Sequence, residues 1–278
     1  MMNLSKFLIT TSKSVYLYDN GLKEIHTGNG VYFGVTRCGL DRYIVLARNN
    51  QDGTDGGHIA GINSLIFFDE NFKKINEVQL DIIKDGHQIC CDFKGDLYIC
   101  NSGLNLITRI QQNGKADNLC LNGMYGEDIN HYNSLSFKND YWYICRHRSE
   151  HGKDDGGILI FNKDWNFLTS VEVGKHAHNA IEKDGFVWST LSSEGKLVRI
   201  ERANLLNRKV YNIAPGFLTR GLVITDEYLL CGVSEFGVRS ERHKEKDAYI
   251  YTFKYPEIEY INKITLNGCG QLNDILLT

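Results

Sequence analysis

The sequence predicts an all-β chain folded as a six-bladed β-propeller with four-stranded blades. Three observations predict it. Short aromatic and β-branched runs alternate with turn dipeptides such as "KG", "SG" and "NG". Such runs suit a pleated, half-buried surface, and such turns join strands tightly. A four-strand unit recurs with starts at 87, 131, 178 and 220, spaced 44, 47 and 42 residues apart, the period of propeller blades. Finally, the two chain ends supply complementary fragments of one further unit.

In chain order, "KFLITTSKSVYLYDNGLKEIHTG" supplies three strands and lacks a first one. "VYFGVTRCGLDRYIVLARN" from Val31 opens the first complete unit. The clearest unit follows, with strands expected over 87–93, 96–101, 106–111 and 116–121. Units from Asn133, His178 and Arg220 repeat the plan, and "ERANLLNRK" within the His178 unit is expected to form a helical turn. The closing "GQLNDILLT" is a lone strand. Paired with the first three, it completes a blade and closes the ring, which hides open sheet edges. Blades therefore begin near Gln271, Val31, His87, His131, His178 and Arg220, and 1–278 is one domain.

Composition narrows function. At 278 residues and 42% hydrophobic, the chain can build a sizeable core. A net charge of −3 with no long basic run argues against nucleic acid and anionic membrane as partners. No run approaches the ~18 apolar residues of a spanning helix. The segment "MMNLSKFLITTSKSVYLYD" lacks a signal peptide's apolar stretch and cleavage site and reads as strand, so a cytoplasmic location is expected. Of 8 cysteines, Cys90, Cys91, Cys100, Cys145 and Cys231 lie in apolar runs, and no C-x-x-C pair occurs. Free thiols are expected, with neither a zinc knuckle nor a disulfide framework.

In a propeller the first strand of each blade lines the channel and starts on the top face, where the loop after the second strand also emerges. Two sets of residues should converge there. His87, His131 with Asn133, His178 with Asn179, and Arg220 stand at inner-strand starts. Arg48, Asn101, Arg146, His147, Ser192 and Ser234 stand at or after second-strand ends. The insertions "RNNQDGTDGGH", "RHRSEHGKDDGG" and "EFGVRSERHKEKD" fall in the same loops, and polar expansion on one face marks a binding face.

His87, His131 and His178 are candidate ligands for a divalent metal, because imidazole suits borderline transition metals and also works as acid or base near neutrality. The alternative is that they bond only backbone carbonyls and water. In "GKHAHNAI", His178 is expected to begin an inner strand and His176 to lie in the preceding loop. Arg220, with Arg48 and Arg146, offers planar donors for an anionic ligand, and Asn101, Asn133, Asn179 and Ser192 are candidate substrate-orienting groups. The loop acids Asp52, Asp55, Glu150, Asp154 and Asp155 are alternative partners for Arg48 and Arg146. The acidic loops do not match a calcium-loop pattern, and no nucleophile elbow, phosphate loop or dinucleotide fingerprint is present.

The stretch "HQICCDFKGDLYICNSG" resembles blades of NHL-type propellers and of gluconolactonase-like six-bladed hydrolases. The second resemblance implies a divalent cation at the channel mouth, held in those enzymes by Glu, Asn and Asp, where this chain presents His and Arg at several corresponding places. "HAHNAIEKDGFVWSTLSSEGKLVRI" followed by "PGFLTRGLVITDEYLLCGVSEFG" is similar to a largely uncharacterised bacterial six-bladed propeller family. That resemblance supports the fold and implies little about reaction. The expectation is a metal-dependent hydrolase or lyase. His87, His131 and His178 would be its ligands or acid–base groups, and Arg220 would grip a small anionic or carbohydrate-derived substrate. The alternative is a non-catalytic propeller that binds a protein or glycan through its top loops.

Overall fold

The computed structural model of the chain describes residues 6–49, 61–121, 125–149, 155–237 and 246–278. Among these, strands β1 to β24, numbered in chain order, form six four-stranded antiparallel sheets. Blades I to V are residues 31–80, 86–119, 132–174, 177–212 and 217–266. Blade VI joins β24 (Leu272–Leu277) to β1 (Phe7–Thr11), β2 (Ser14–Tyr18) and β3 (Leu22–Thr27). The register of Phe7 with Leu277 and Ile9 with Ile275 closes the ring as the sequence predicts. Much of the insertions at 48–58, 146–157 and 235–247 lies outside the described residues, with the acids Asp52, Asp55, Glu150 and Asp154.

Six apolar clusters fill the six interfaces between neighbouring blades. The strand period of two explains why the second strands read as continuous apolar runs. On β5 (Arg42–Asn49), Tyr43, Val45 and Ala47 pack toward blade VI, while Ile44 and Leu46 pack toward blade II. The aromatic content concentrates in the same layers; Trp142 is buried between Tyr98 and Trp165, with ring centroids 4.4 and 4.6 Å away. Outer strands such as β23 (Glu259–Leu266) are mostly exposed.

The helical turn expected at "ERANLLNRK" is not formed. Glu201 ends β18 (Lys196–Glu201), and β19 (Asn204–Asn212) returns beside it with Ile200 opposite Arg208. The fourth strand satisfies the backbone of the third, which one isolated turn cannot do. Among the described residues, helix is confined to two single 3₁₀ turns, Ser102–Leu104 and Ser192–Glu194, at matching places in blades II and IV. Among the described residues no helix is long and apolar enough to cross a membrane.

One irregularity recurs in all six blades. The inner strands β4 (Val31–Cys38), β8 (Gly86–Cys91), β12 (Tyr132–Lys138), β16 (Ala177–Lys183), β20 (Phe217–Ile224) and β24 each slip register near their start. A bulge leaves residues unpaired and re-aims their side chains. Six bulges at one height form a polar collar around the channel. Gly34 lies in the blade I bulge, where a Cβ would sit 2.5 Å from Ile89 N and 2.7 Å from Gln88 Cα. Only glycine lets blades I and II approach so closely.

Candidate functional site

The collar residues line a cavity of about 240 Å³, open mouth included, and each blade contributes at the same place. The contributions are Phe33–Gly34, His87–Gln88, Asn133–Ser134, His178–Asn179, Arg220 and Asn273–Asp274. His87, Asn133 and His178 follow Gly86, Tyr132 and Ala177, which pair with the second-strand residues Asn101, Arg146 and Leu191. The blade III counterpart of His87 and His178 is therefore Asn133. His131 stands two residues earlier, level with Asp85 and His176. All three of those residues adopt left-handed backbone, with φ of 50°, 51° and 54° for Asp85, His131 and His176. Their carbonyls accept the backbone N–H groups of Ser102, His147 and Ser192 at 3.3, 3.3 and 3.0 Å. Asp and His are among the few side chains that tolerate this conformation. The channel mouth thus has two tiers, and histidine occurs in both.

Asp85 and His131 of the upper tier, with His87, form a candidate metal centre. The ligand atoms of Asp85, His87 and His131 all lie within 4.8 Å of one another, and all three residues are buried. Asp85 Oδ1 and His87 Nε2 stand 3.4 Å apart, close to the ligand spacing of about 3.4 Å that tetrahedral bonds of about 2.1 Å require. His87 Nε2 is buried without a hydrogen-bond partner among the described residues. His131 Nδ1 lies 2.9 Å from both oxygens of Asp128. Its Nδ1 faces that carboxylate, the usual support of a metal-bound imidazole that ligates through its other nitrogen. Burial, then the charges of His131, Arg48 and Arg220, hold the His87 imidazole well below its ordinary range, so it is neutral at pH 7 as a ligand must be. Burial acts upward on the Asp128 carboxyl, but the His131 hydrogen bond and the charges of His131 and Arg148 prevail and lower it. Two imidazoles and a carboxylate suit zinc or another borderline divalent ion better than calcium.

His178 belongs to a second group. Its Nε2 faces Nε2 of His147 at 2.8 Å. The His147 ring also stacks on His131 at 4.6 Å and lies 5.0 Å from His176. His131 meets His87 edge-on at 4.8 Å. Burial dominates the lowering of both His147 and His178 well below the ordinary range. Next come His131 and His178 for His147, and Arg220 and His87 for His178.

The floor of the cavity is a hydrogen-bonded belt around Asp274. Its Oδ2 accepts from Val35 N at 3.2 Å and Gln88 Nε2 at 3.1 Å; its Oδ1 accepts from Ile275 N at 3.1 Å and Asn179 Nδ2 at 3.3 Å. Asn179 Oδ1 accepts from Gly221 N at 2.8 Å, and Gln88 Oε1 from Leu135 N at 3.1 Å. Residues of all six blades thus converge on one another across the axis. Burial pushes the Asp274 carboxyl up to about 6 despite these four donors.

The remaining predicted residues divide. Arg220 lines the cavity, donates to Asn273 Oδ1 at 3.3 Å, and is met by the Gln271 amide oxygen, in its donor-satisfying orientation, at 2.9 Å from Nη1. Asn133 also lines it, donating Nδ2 to Ala177 O at 2.8 Å. Arg48 is buried against Asp85 as an ion pair and stacks over Phe33 at 4.4 Å. Its partner is thus an acid of the segment joining blades I and II. Asn101 is absorbed in architecture: it accepts from Lys84 N at 2.8 Å and donates to Ile82 O and Thr108 Oγ1, each at 3.0 Å. Arg146 and Ser192 are buried beside the mouth but do not line the cavity. Sequence reasoning missed Asp85, Asp128, Gln88 and Asp274 and left His147 out of the site. Counting each inner strand from its pairing with the second would have aligned "GHQ", "AHN" and "LND" and exposed Gln88 and Asp274.

Fold and site together define a six-bladed propeller with a histidine-lined, carboxylate-floored channel mouth. No family model matches the chain, and no curated protein matches it. Solved structures do. The chain is similar to one in the nidogen/laminin complex at 10% identity and TM-score 0.73, covering 98% of this chain and 97% of that one. It is similar to a protein of unknown function from Bacteroides caccae at 8% identity and TM-score 0.67, covering 98% of each chain. A periplasmic gluconolactonase from Pseudomonas aeruginosa matches at 11% identity and TM-score 0.60, again over 98% of each chain. At such identities the likeness carries the fold alone.

Proposed function

We propose that this propeller is a metal-dependent hydrolase whose substrate is a small anionic, sugar-derived molecule. The supporting observation is the Asp85–His87–His131 group, with ligand atoms all within 4.8 Å of one another and His131 oriented by Asp128. The gluconolactonase among the similar folds is consistent with that chemistry.

A divalent ion held by Asp85, His87 and His131 would supply carbonyl polarisation or a water acidified toward neutrality. The rest falls to the chain's own groups. Arg220, fixed by Asn273 and Gln271, presents its guanidinium to an anionic group in the cavity. Asn133 and His178 line the same space and orient the substrate. The His147–His178 pair, neutral at pH 7, accepts a proton as water attacks and returns it to the leaving oxygen. The belt around Asp274 fixes the floor against which the substrate rests.

A second reading has its own support. The enclosed space at the mouth is small and lined on every side by the collar residues, well short of the roughly 300–1,000 Å³ usual for ligand pockets, which favours a propeller that binds a protein or glycan over its top face. One experiment separates the two. The full chain is loaded with zinc, manganese or cobalt, dialysed, and measured for bound metal and for hydrolysis of a panel of aldonolactones and esters. The enzyme reading expects one equivalent of metal, lost in His87→Ala/His131→Ala and kept in His178→Ala, with activity lost in both. Folded wild-type protein that retains no metal sinks it.

A further inference from the structure

We propose that Cys38 and Cys91 form a modification site, a peroxide-oxidisable dithiol that closes into a disulfide between blades I and II at the end of the channel opposite the histidines. Cys38 ends β4 and Cys91 ends β8, so the two thiols sit at the far ends of adjacent inner strands. Cys91 N donates to Thr36 Oγ1 at 3.2 Å, and Cys38 Sγ lies 3.6 Å from Gly95 O in the next turn. The strands are thus tied together at this end. Both sulfurs pack on the rim of the same interface cluster, which contains Ile44 and Ile89, and both are partly exposed. The two side chains therefore share one edge of the blade I–II interface. Cys90 points to the opposite interface, beside Phe137, so β8 offers Cys38 one partner.

The local charges favour reaction at Cys38. The Cys91 hydrogen bond, then Arg42, lower its thiol to about 7, against burial and the carboxylates of Asp92 and Asp41. Cys91 is pushed the other way, first by its hydrogen bond to Cys38 and then by burial. One partner is the nucleophile and the other the resolving thiol. The Cys38 thiolate attacks a peroxide oxygen; an S–O bond forms, the O–O bond breaks, and the departing oxygen leaves with a proton as water or alcohol. Cys91 sulfur then attacks the sulfenic sulfur of Cys38; the S–S bond forms, the S–O bond breaks, and hydroxide takes the Cys91 proton as water. Two thiols supply two electrons to one peroxide, and a dithiol reductant reverses the change.

The test treats the purified full chain at pH 7 with stoichiometric hydrogen peroxide, blocks remaining thiols, and maps peptides by mass spectrometry. The expected product is a Cys38–Cys91 crosslink that dithiothreitol removes. Before oxidation, Cys38 should alkylate roughly tenfold faster than Cys91, in keeping with its larger thiolate fraction. In Cys91→Ser, a 1,3-dione should trap sulfenic acid at Cys38. Cys38 and Cys91 both still free in folded, peroxide-treated wild type overturn the proposal. So does oxidation that consumes the exposed Cys120 while leaving this pair reduced.

Discussion

His147 and His178 face each other nitrogen to nitrogen, Nε2 to Nε2 at 2.8 Å, inside the channel mouth. At that distance one ring donates N–H and the other offers a lone pair, so the pair tolerates one bridging proton and resists two charges. His87, buried nearby, is likewise held neutral. These relationships make the fold's stability depend on pH.

Between pH 7.5 and 5.5 stability should fall. His87, His147 and His178 have folded-state pKa values below the ordinary 6.5. The unfolded chain therefore binds more protons as pH drops through 6.5, and stability present above that value is lost below it. The limiting slope is about 1.4 kcal/mol per pH unit for each histidine. Urea midpoints measured with a chelator present check this, and His147→Phe should flatten the slope.

Asp274 acts with the opposite sign. Its carboxyl is raised from 3.8 to about 6 in the folded state, so the stability it contributes is fully present below 3.8 and is lost as pH rises through 6. Comparison with Asp274→Asn isolates it: from pH 4 to 6 the wild type should lose ground by about 1.4 kcal/mol per unit. The variant should still be destabilised by about 1–3 kcal/mol at pH 5, because its NH₂ faces donors that need an oxygen.

Arg48 and a metal ion at the proposed site would compete for Asp85. Arg48→Met leaves that carboxylate buried beside no guanidinium, and the metal-free variant should lose about 3–5 kcal/mol. Metal at a hundred times its dissociation constant should return about 2.7 kcal/mol. Thermal melts with and without zinc measure both. Absence of zinc stabilisation in the variant would count against Asp85 as a ligand.

Asp128→Asn should weaken metal binding 10–100-fold, as loss of a partner to a ligating histidine commonly does. Isothermal titration of both proteins reads the change, and unaltered affinity would mean that Asp128 does not orient His131.

Gly34→Ala should destabilise by about 1–3 kcal/mol, since its Cβ meets the backbone of blade II at 2.5 Å from Ile89 N. Denaturant unfolding of the variant is the check.

The architecture was legible because each blade repeats one local pattern, and the ends of the chain completed the count. The apolar alternation that packs Tyr43 one way and Ile44 the other is written in the chain itself. The site was legible in part. His87, His178, Asn133, Asn179 and Arg220 do line one cavity. The level of His131 was misjudged because identity of side chain stood in for register, and the left-handed turn before each inner strand is invisible to periodicity. Asp85 and Asp128 lie in connecting segments where acids are ordinary, and their pairing with histidines depends on how the blades stack. Asn101 has the composition of a binding residue but serves backbone groups of the 82–84 loop.

The pairing of β24 with β1 also completes the channel mouth. During synthesis β24 emerges after every other strand described, and it carries Asn273 and Asp274. Without β24, blade VI has no inner strand and the histidines have no floor beneath them. Arg220 lacks Asn273 and the belt lacks its carboxylate. The channel mouth therefore depends on the closing strand, and a chain without β24 would carry the histidines without the carboxylate floor that Asp274 supplies.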